Sequence, residues 1–184
     1  VCSSDLAMAD GAFSHKGHHY NITGYNGTPK PVQRPHPPIL IGGGGKRVLG
    51  IAARYADIVG INATMSAGVV GPDAFTTMTA EAVDEKVAVV RTAAGDRMSS
   101  IEMNVRAFLV NITDDPDAAT LALSGMLGVE PSMIAQTPFA LVGPPNKIIE
   151  DLQARRDRWG FSYIIIGQAE IEAFAPVVAA LDGK

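Results

Sequence analysis

From Pro38 to the end of the chain, short apolar runs alternate with stretches of helical periodicity, a pattern that predicts βα units on a parallel sheet. The first unit pairs a strand at Ile39-Leu40-Ile41 with a helix over Lys46 to Tyr55 that turns Val48, Leu49 and Ala52 to one face. A second strand covers Asp57 to Ile61. Its helix runs from Ala80 to Ala94, with Thr79 as N-cap, Val83, Val87, Val90 and Ala94 on one stripe, and Gly95 as the stop. The third strand spans Ile101 to Ile112, and Asp114-Asp115-Pro116 then opens a helix reaching Met126. Another helix starts at Pro144-Pro145, sets Ile148, Ile149, Leu152 and Trp159 against the core, and stops at Gly160. The last strand, Phe161 to Ile166, and a helix from Ala169 to Leu181 end the pattern.

Four such units are too few to close a (β/α)8 barrel, which takes eight strands and about 250 residues. The pattern suits half a barrel or a small open doubly wound sheet. Glu102, Asn104 and Arg106 alternate with Ile101, Met103, Val105 and Ala107, whereas a strand covered by helices on both faces reads as a continuous apolar run. A barrel accounts for that alternation: its outer helices cover the apolar face, and the polar face looks into the lumen. An edge strand with one wet face is the alternative.

Residues 1–37 have a different texture. Residues 12–37 hold all four histidines, His15, His18, His19 and His36, along with Pro29, Pro31, Pro35 and Pro37, which predicts extended chain and turns with at most a hairpin around Phe13 to Ile22. The string Val1-Cys2-Ser3-Ser4-Asp5-Leu6 resembles translated sequencing-adapter sequence, so a gene truncated at its 5′ end is expected and Cys2 is set aside.

Composition narrows the classes. The 184 residues are 47% hydrophobic and 18% charged with a net charge of −4, and the basic residues are scattered, so nucleic acid is not an expected partner. No apolar run approaches the roughly 20 residues that span a bilayer. A single cysteine suits a reducing compartment, and the cytoplasm is the expected location.

The densest chemical signal is Pro38-Ile39-Leu40-Ile41-Gly42-Gly43-Gly44-Gly45-Lys46-Arg47, a strand entering a helix through four glycines. Such a turn lets the backbone approach a ligand, and helix N-terminal N–H groups attract phosphate. Lys46 and Arg47 add positive charge. The run is not a P-loop, because Leu40 stands where a glycine is needed and Arg47 where Ser or Thr is needed, and a dinucleotide fingerprint would require glycine at Arg47. A structural turn without a ligand is the plainer reading. The histidines lack metal-ligand spacing and are read as surface residues, and no nucleophile elbow or diagnostic carboxylate pair exists. A cofactor that carries the redox chemistry would explain this scarcity. The Arg155-Arg156 and Trp159 cluster is read as a structural helix face.

Several segments in order resemble the luciferase-like monooxygenase superfamily, within it the branch using deazaflavin coenzyme F-420 (also written F420). They are Lys16-Gly17-His18-His19-Tyr20, Pro31-Val32-Gln33-Arg34-Pro35, Pro37 to Gly45, Ala52 to Gly60, Asp84-Glu85-Lys86-Val87, Leu141-Val142-Gly143, the Arg155-Arg156 helix and Ser162-Tyr163-Ile164-Ile165. The resemblance implies an α/β fold, the C-terminal half of a (β/α)8 TIM barrel, with Pro38 to Ile41 as strand five and Phe161 to Ile166 as strand eight. It implies F420 or FMN as cofactor, its phosphate near Gly43, Gly44, Gly45, Lys46, Arg47 and Asn62, and a small organic substrate. It carries over no catalytic residue. A catalytically inactive, self-associating fragment, a homo-oligomer held by exposed strand edges, and a small phosphate-binding module of another family are the rival expectations.

Overall fold

A computed structural model describes residues 3–65 and 72–183, with side chains described from Leu6 onward except at residues 72 and 73. Val1 and Cys2, on which the reading of the amino end rests, lie outside the described residues. The chain divides into two compact units, Val1–Ile39 and Leu40–Lys184.

In the first unit a short helix not expected from the sequence, α1 (Ser3–Met8), precedes an antiparallel hairpin of β1 (Phe13–Lys16) and β2 (Asn21–Tyr25). The Gly17 N–H donates to the Tyr20 carbonyl at 2.8 Å to close the turn, and the Phe13 and Tyr25 rings meet edge-on at 5.7 Å. His15, His18 and His19 are exposed, while His36 is half-buried with Nδ1 2.8 Å from the Pro37 carbonyl oxygen.

The second unit is built on β3 (Leu40–Gly43), β4 (Ile58–Ile61), β5 (Glu102–Arg106) and β8 (Phe161–Ile165), all parallel and adjacent in that order. A doubly wound sheet reverses its order at a switch point, and this one never does. With right-handed crossovers, a one-directional order sends every connection to the same face. Packing agrees. Ile41, Val59, Ile61, Met103 and Val105 point into one core with residues of α2 (Lys46–Tyr55) and α4 (Ala80–Ala94). On the other face Leu40, Gly42, Gly60, Asn104 and Arg106 line an open cavity.

The helices end where the sequence places their caps. The Thr79 hydroxyl accepts from the Ala82 N–H at 3.2 Å at the start of α4, and the Gly95 N–H donates to the Arg91 carbonyl at its end. In α7 (Pro145–Trp159) the stop is Gly160, in the left-handed conformation at φ 83°. Asp115 caps α5 (Pro116–Leu127) through the Ala118 N–H at 3.0 Å. The carboxyl end is a short 3₁₀ turn, Gln168–Glu170, running into α8 (Ile171–Leu181).

Two expectations are corrected, and three further elements appear. The strand expected over Ile101 to Ile112 is two strands, β5 and β6 (Leu109–Ile112), because the chain changes partners at Ala107 and Phe108. The Ala107 N–H donates to the Ile165 carbonyl at 2.9 Å, and the Phe108 N–H to the Phe139 carbonyl at 2.9 Å. β6 then forms a separate parallel pair with β7 (Ala140–Gly143), a strand not expected from the sequence. In α2 the buried stripe is Leu49, Ala52 and Ala53, and Val48 is turned outward, where its methyls pack on Gly43. Two short helices, α3 (Pro72–Thr76) and α6 (Pro131–Gln136), were also not expected.

Candidate functional site

Parallel pairing brings the carboxyl ends of β3, β4, β5 and β8 to one rim of the sheet, the end at which open and closed α/β sheets bind ligands. Below that rim, on the face away from α2 and α4, lies a cavity of about 480 Å³. Its floor is made of alternate strand residues. Gly42 and Gly60 leave it open, and a side chain on either would crowd an asparagine amide: a Cβ on Gly42 would lie 2.8 Å from Asn62 Nδ2, and one on Gly60 would lie 3.1 Å from Asn104 Oδ1. Asn104 is buried and donates Nδ2 to the Tyr163 carbonyl at 2.9 Å, which ties β5 to β8 and fixes the amide's orientation. Phe75, Met78, Phe108, Leu109 and Leu127 supply apolar walls, and Arg106 stands at the rim with its guanidinium 5.3 Å from the Phe108 ring centre.

The glycine turn leads from β3 into α2. Its glycines serve different ends. A Cβ on Gly44 would lie 2.2 Å from the Ala63 carbonyl oxygen, so glycine there is demanded by backbone packing. Around Gly45 nothing lies within 4 Å of the Cβ position. Gly45 is also the N-cap of α2 and offers no side-chain acceptor, while the first intrahelical bond, Leu49 N–H to the Gly45 carbonyl at 3.0 Å, leaves the preceding N–H groups outside the ladder. Gly44, Gly45 and Lys46 border a groove of about 570 Å³ whose far wall, on α4, carries Glu81 and Glu85.

One side chain holds this rim together. Lys86 is only 7% exposed and donates to the Asn62 carbonyl at 2.9 Å and the Thr77 carbonyl at 2.5 Å. Burial pushes its ammonium down to about 8. The Thr64 N–H donates to Thr77 Oγ1 and the Thr64 hydroxyl to the Gly44 carbonyl, both at 2.9 Å, so the loop after β4 is bonded to the loop after β3. From the sequence Lys86 is named only within a segment that carries the resemblance, with no role given to it, although a lysine within the Val83, Val87 and Val90 stripe was the available signal.

The structure thus distributes the residues singled out from the sequence. Gly44, Gly45 and Lys46 share the outer groove. Asn62 lies in the inner cavity, its backbone N–H bonded to the Gly43 carbonyl at 3.0 Å. Gly43 faces Val48, and Arg47 is exposed on the first turn of α2. Arg155 is a buried structural residue whose Nη2 donates to the Ala140 carbonyl at 2.8 Å, and burial lowers its guanidinium to about 10. Trp159 Nε1 donates to Asp84 Oδ1 at 2.7 Å. Among the described residues no group of three His, Cys, Asp or Glu side chains could hold a metal ion, and no helix is long and apolar enough to cross a membrane.

The sequence profile of the luciferase-like monooxygenases matches residues 5–163. The chain belongs to that family. Among solved structures it is similar to the coenzyme F420-dependent tetrahydromethanopterin reductase of Methanopyrus kandleri, with a TM-score of 0.68 and 14% identity over 95% of this chain and 58% of that one. It is similar also to an F420-dependent secondary alcohol dehydrogenase solved with an F420–acetone adduct, with a TM-score of 0.64 and 17% identity over 97% of this chain and 58% of that one. The long-chain alkane monooxygenase LadA gives a TM-score of 0.61 and 16% identity over 93% of this chain and 46% of its own length. At these identities the likeness is one of fold. The luciferase-like chain spans 58% of the length of the first two structures. No curated protein matches it.

Proposed function

We propose that residues 38–184 are the four C-terminal βα units of a (β/α)8 oxidoreductase, with β3, β4, β5 and β8 as strands five to eight, and that the protein works with F420 or FMN on a small organic substrate. The observation that carries this reading is the one-directional strand order, β3-β4-β5-β8, whose two outer strands have no further partner in their sheet among the described residues. A barrel closes through such edges. The span of 58% of each F420-dependent relative supports the same reading.

The residues present suit a phosphorylated cofactor. The open space at Gly45, the uncapped start of α2 and the Lys46 ammonium form a cradle for a phosphate, with Arg47 adding charge nearby. Gly43 and Gly44 set the backbone of that turn, and Asn62 offers an amide to a group entering the inner cavity. When bound, F420 or FMN supplies the hydride donor or acceptor. The residues of this rim would orient it, and Phe75, Met78 and Leu109 would keep water out of the inner cavity.

The test is an absorbance and fluorescence titration with F420 and FMN of a form extended at its amino end by the four preceding βα units of a relative. Saturable binding of one cofactor is expected. Binding of neither overturns the reading.

A further inference from the structure

We propose that Arg106 is a specificity-determining residue that recognises an anionic group, a carboxylate or its sulfonate or phosphate equivalent, on an organic substrate whose apolar body fills the inner cavity. The inference deepens the proposed function and rests on that reading of the cavity as the substrate site.

Arg106 is the last residue of β5, on the same face as Asn104, and its side chain lines the cavity under the rim. Other arginines of this unit are spent on structure. Arg97 donates to the Ala53 and Ala56 carbonyls, Arg155 to the Pro138 and Ala140 carbonyls, and Arg158 pairs with Asp84. Among the described residues no carboxylate lies within 4.0 Å of the Arg106 guanidinium, and no hydrogen bond engages it. The guanidinium lies over the face of Phe108, which leaves the planar edge, with its fork of N–H donors, directed away from the ring to meet an acceptor. Phe108 is itself 51% exposed and stacks on Phe139 with ring centres 6.1 Å apart, so the guanidinium rests on a supported aromatic platform.

The surroundings select the kind of anion. The walls next to Arg106 are apolar, and the nearby polar groups are the neutral amides of Asn62 and Asn104. A free inorganic anion would bring nothing to cover Phe75, Met78 and Leu127. An organic anion pairs its charge bidentately with the guanidinium and buries its body against those side chains.

Biphenyl-4-carboxylate and its neutral isostere biphenyl-4-carboxamide serve as probes, titrated by fluorescence into the wild-type chain, Arg106→Gln and Arg106→Lys at neutral pH. Wild type is expected to bind the carboxylate at least tenfold more tightly than the amide. Arg106→Gln should bind both equally, at the wild-type affinity for the amide, and Arg106→Lys should fall between because an ammonium loses the fork geometry. Equal affinities in wild type, a preference that survives in Arg106→Gln, or no saturable binding by wild type overturns the proposal. F420 and FMN titrations of the same proteins separate the sources of the anion. If Arg106→Gln weakens a cofactor as strongly as the carboxylate, the arginine serves the cofactor's acidic groups and the substrate assignment falls. Failure of the amino-terminally extended form to bind either cofactor, alongside an intact carboxylate preference, defeats the cofactor reading and leaves the anion site standing.

Discussion

Two adjacent glycines that look alike in sequence should respond in opposite ways to substitution. In Gly44→Ala the new methyl would lie 2.2 Å from the Ala63 carbonyl oxygen, 2.5 Å from its carbon and 2.7 Å from the Thr64 nitrogen. All of these are backbone atoms, held by the Thr64 bonds to the Gly44 carbonyl and to Thr77. Relief therefore requires the two loops to part. Overpacking costs about 1–3 kcal/mol, and each hydrogen bond lost adds about 0.5–1.5 kcal/mol. A loss of roughly 2–5 kcal/mol follows, and at about 2–4 °C per kcal/mol for a chain of this size Tm should fall by about 4–20 °C. Gly45→Ser meets open space, its backbone at φ −98° and ψ 149° is already that of an N-cap, and the hydroxyl supplies the acceptor now missing. Removing a glycine from the unfolded chain adds about 0.4–1 kcal/mol. Gly45→Ser should match or exceed wild type by up to about 1 kcal/mol. Far-UV circular dichroism melts and urea titrations of the three proteins provide the readout. A Gly44→Ala protein as stable as wild type, or a Gly45→Ser protein as damaged as Gly44→Ala, would refute the assignment of the two roles.

Other expectations concern the charged groups inside the fold. Lys86 titrates near 8 in the folded chain and near its ordinary value of 10.5 when unfolded, so between those values the unfolded state holds the extra proton and rising pH favours folding. Wild type should therefore gain stability relative to Lys86→Met as pH rises from 8 to 10.5, and urea midpoints that shift in parallel across that window would count against an ammonium desolvated by burial. Asp84 accepts from Arg158 Nε and Nη2 at 3.0 and 2.6 Å and from Trp159 Nε1, and the Arg158 hydrogen bonds first of all hold its carboxyl below the ordinary 3.8. Its contribution is present above that value and lost as pH falls through the lower folded one. Fluorescence of Trp159, the chain's only tryptophan, should report α4 and α7 loosening at higher pH in Asp84→Ala than in wild type. Coincident acid transitions would show that the contact is idle.

The longer helices were legible because their signals are local, while the short helices α1, α3 and α6 were not. Thr79, Gly95, Pro116 and Gly160 mark boundaries through their own conformational chemistry, and the structure uses each of them there. The break between β5 and β6 was hidden, since no glycine or proline stands at Ala107 and Phe108 and the apolar run continues. Only the exchange of β8 for β7 as partner ends the first strand. β7 was missed for a different reason: its four residues, set between Pro138 and Pro144, are too few to make a periodic pattern, and their burial depends on side chains of other elements such as Leu109 and Phe174. At the site, a run of glycines announced a turn but could not say which glycine packs against backbone and which faces open space. Nor could sequence show that Lys86, twenty-four residues from Asn62, bonds its carbonyl.

The central claim is that the start of α2 holds the phosphate of a flavin or deazaflavin cofactor. Amide ¹⁵N–¹H spectra of the chain, recorded during titration with FMN, F420 and phosphate-free riboflavin, test it most directly. Saturable shifts of the Lys46 and Arg47 signals are expected with FMN or F420, with no such shifts from riboflavin and at least tenfold weaker binding in Gly45→Ser. Signals that stay still with both phosphorylated cofactors, or that move equally with riboflavin, would contradict it.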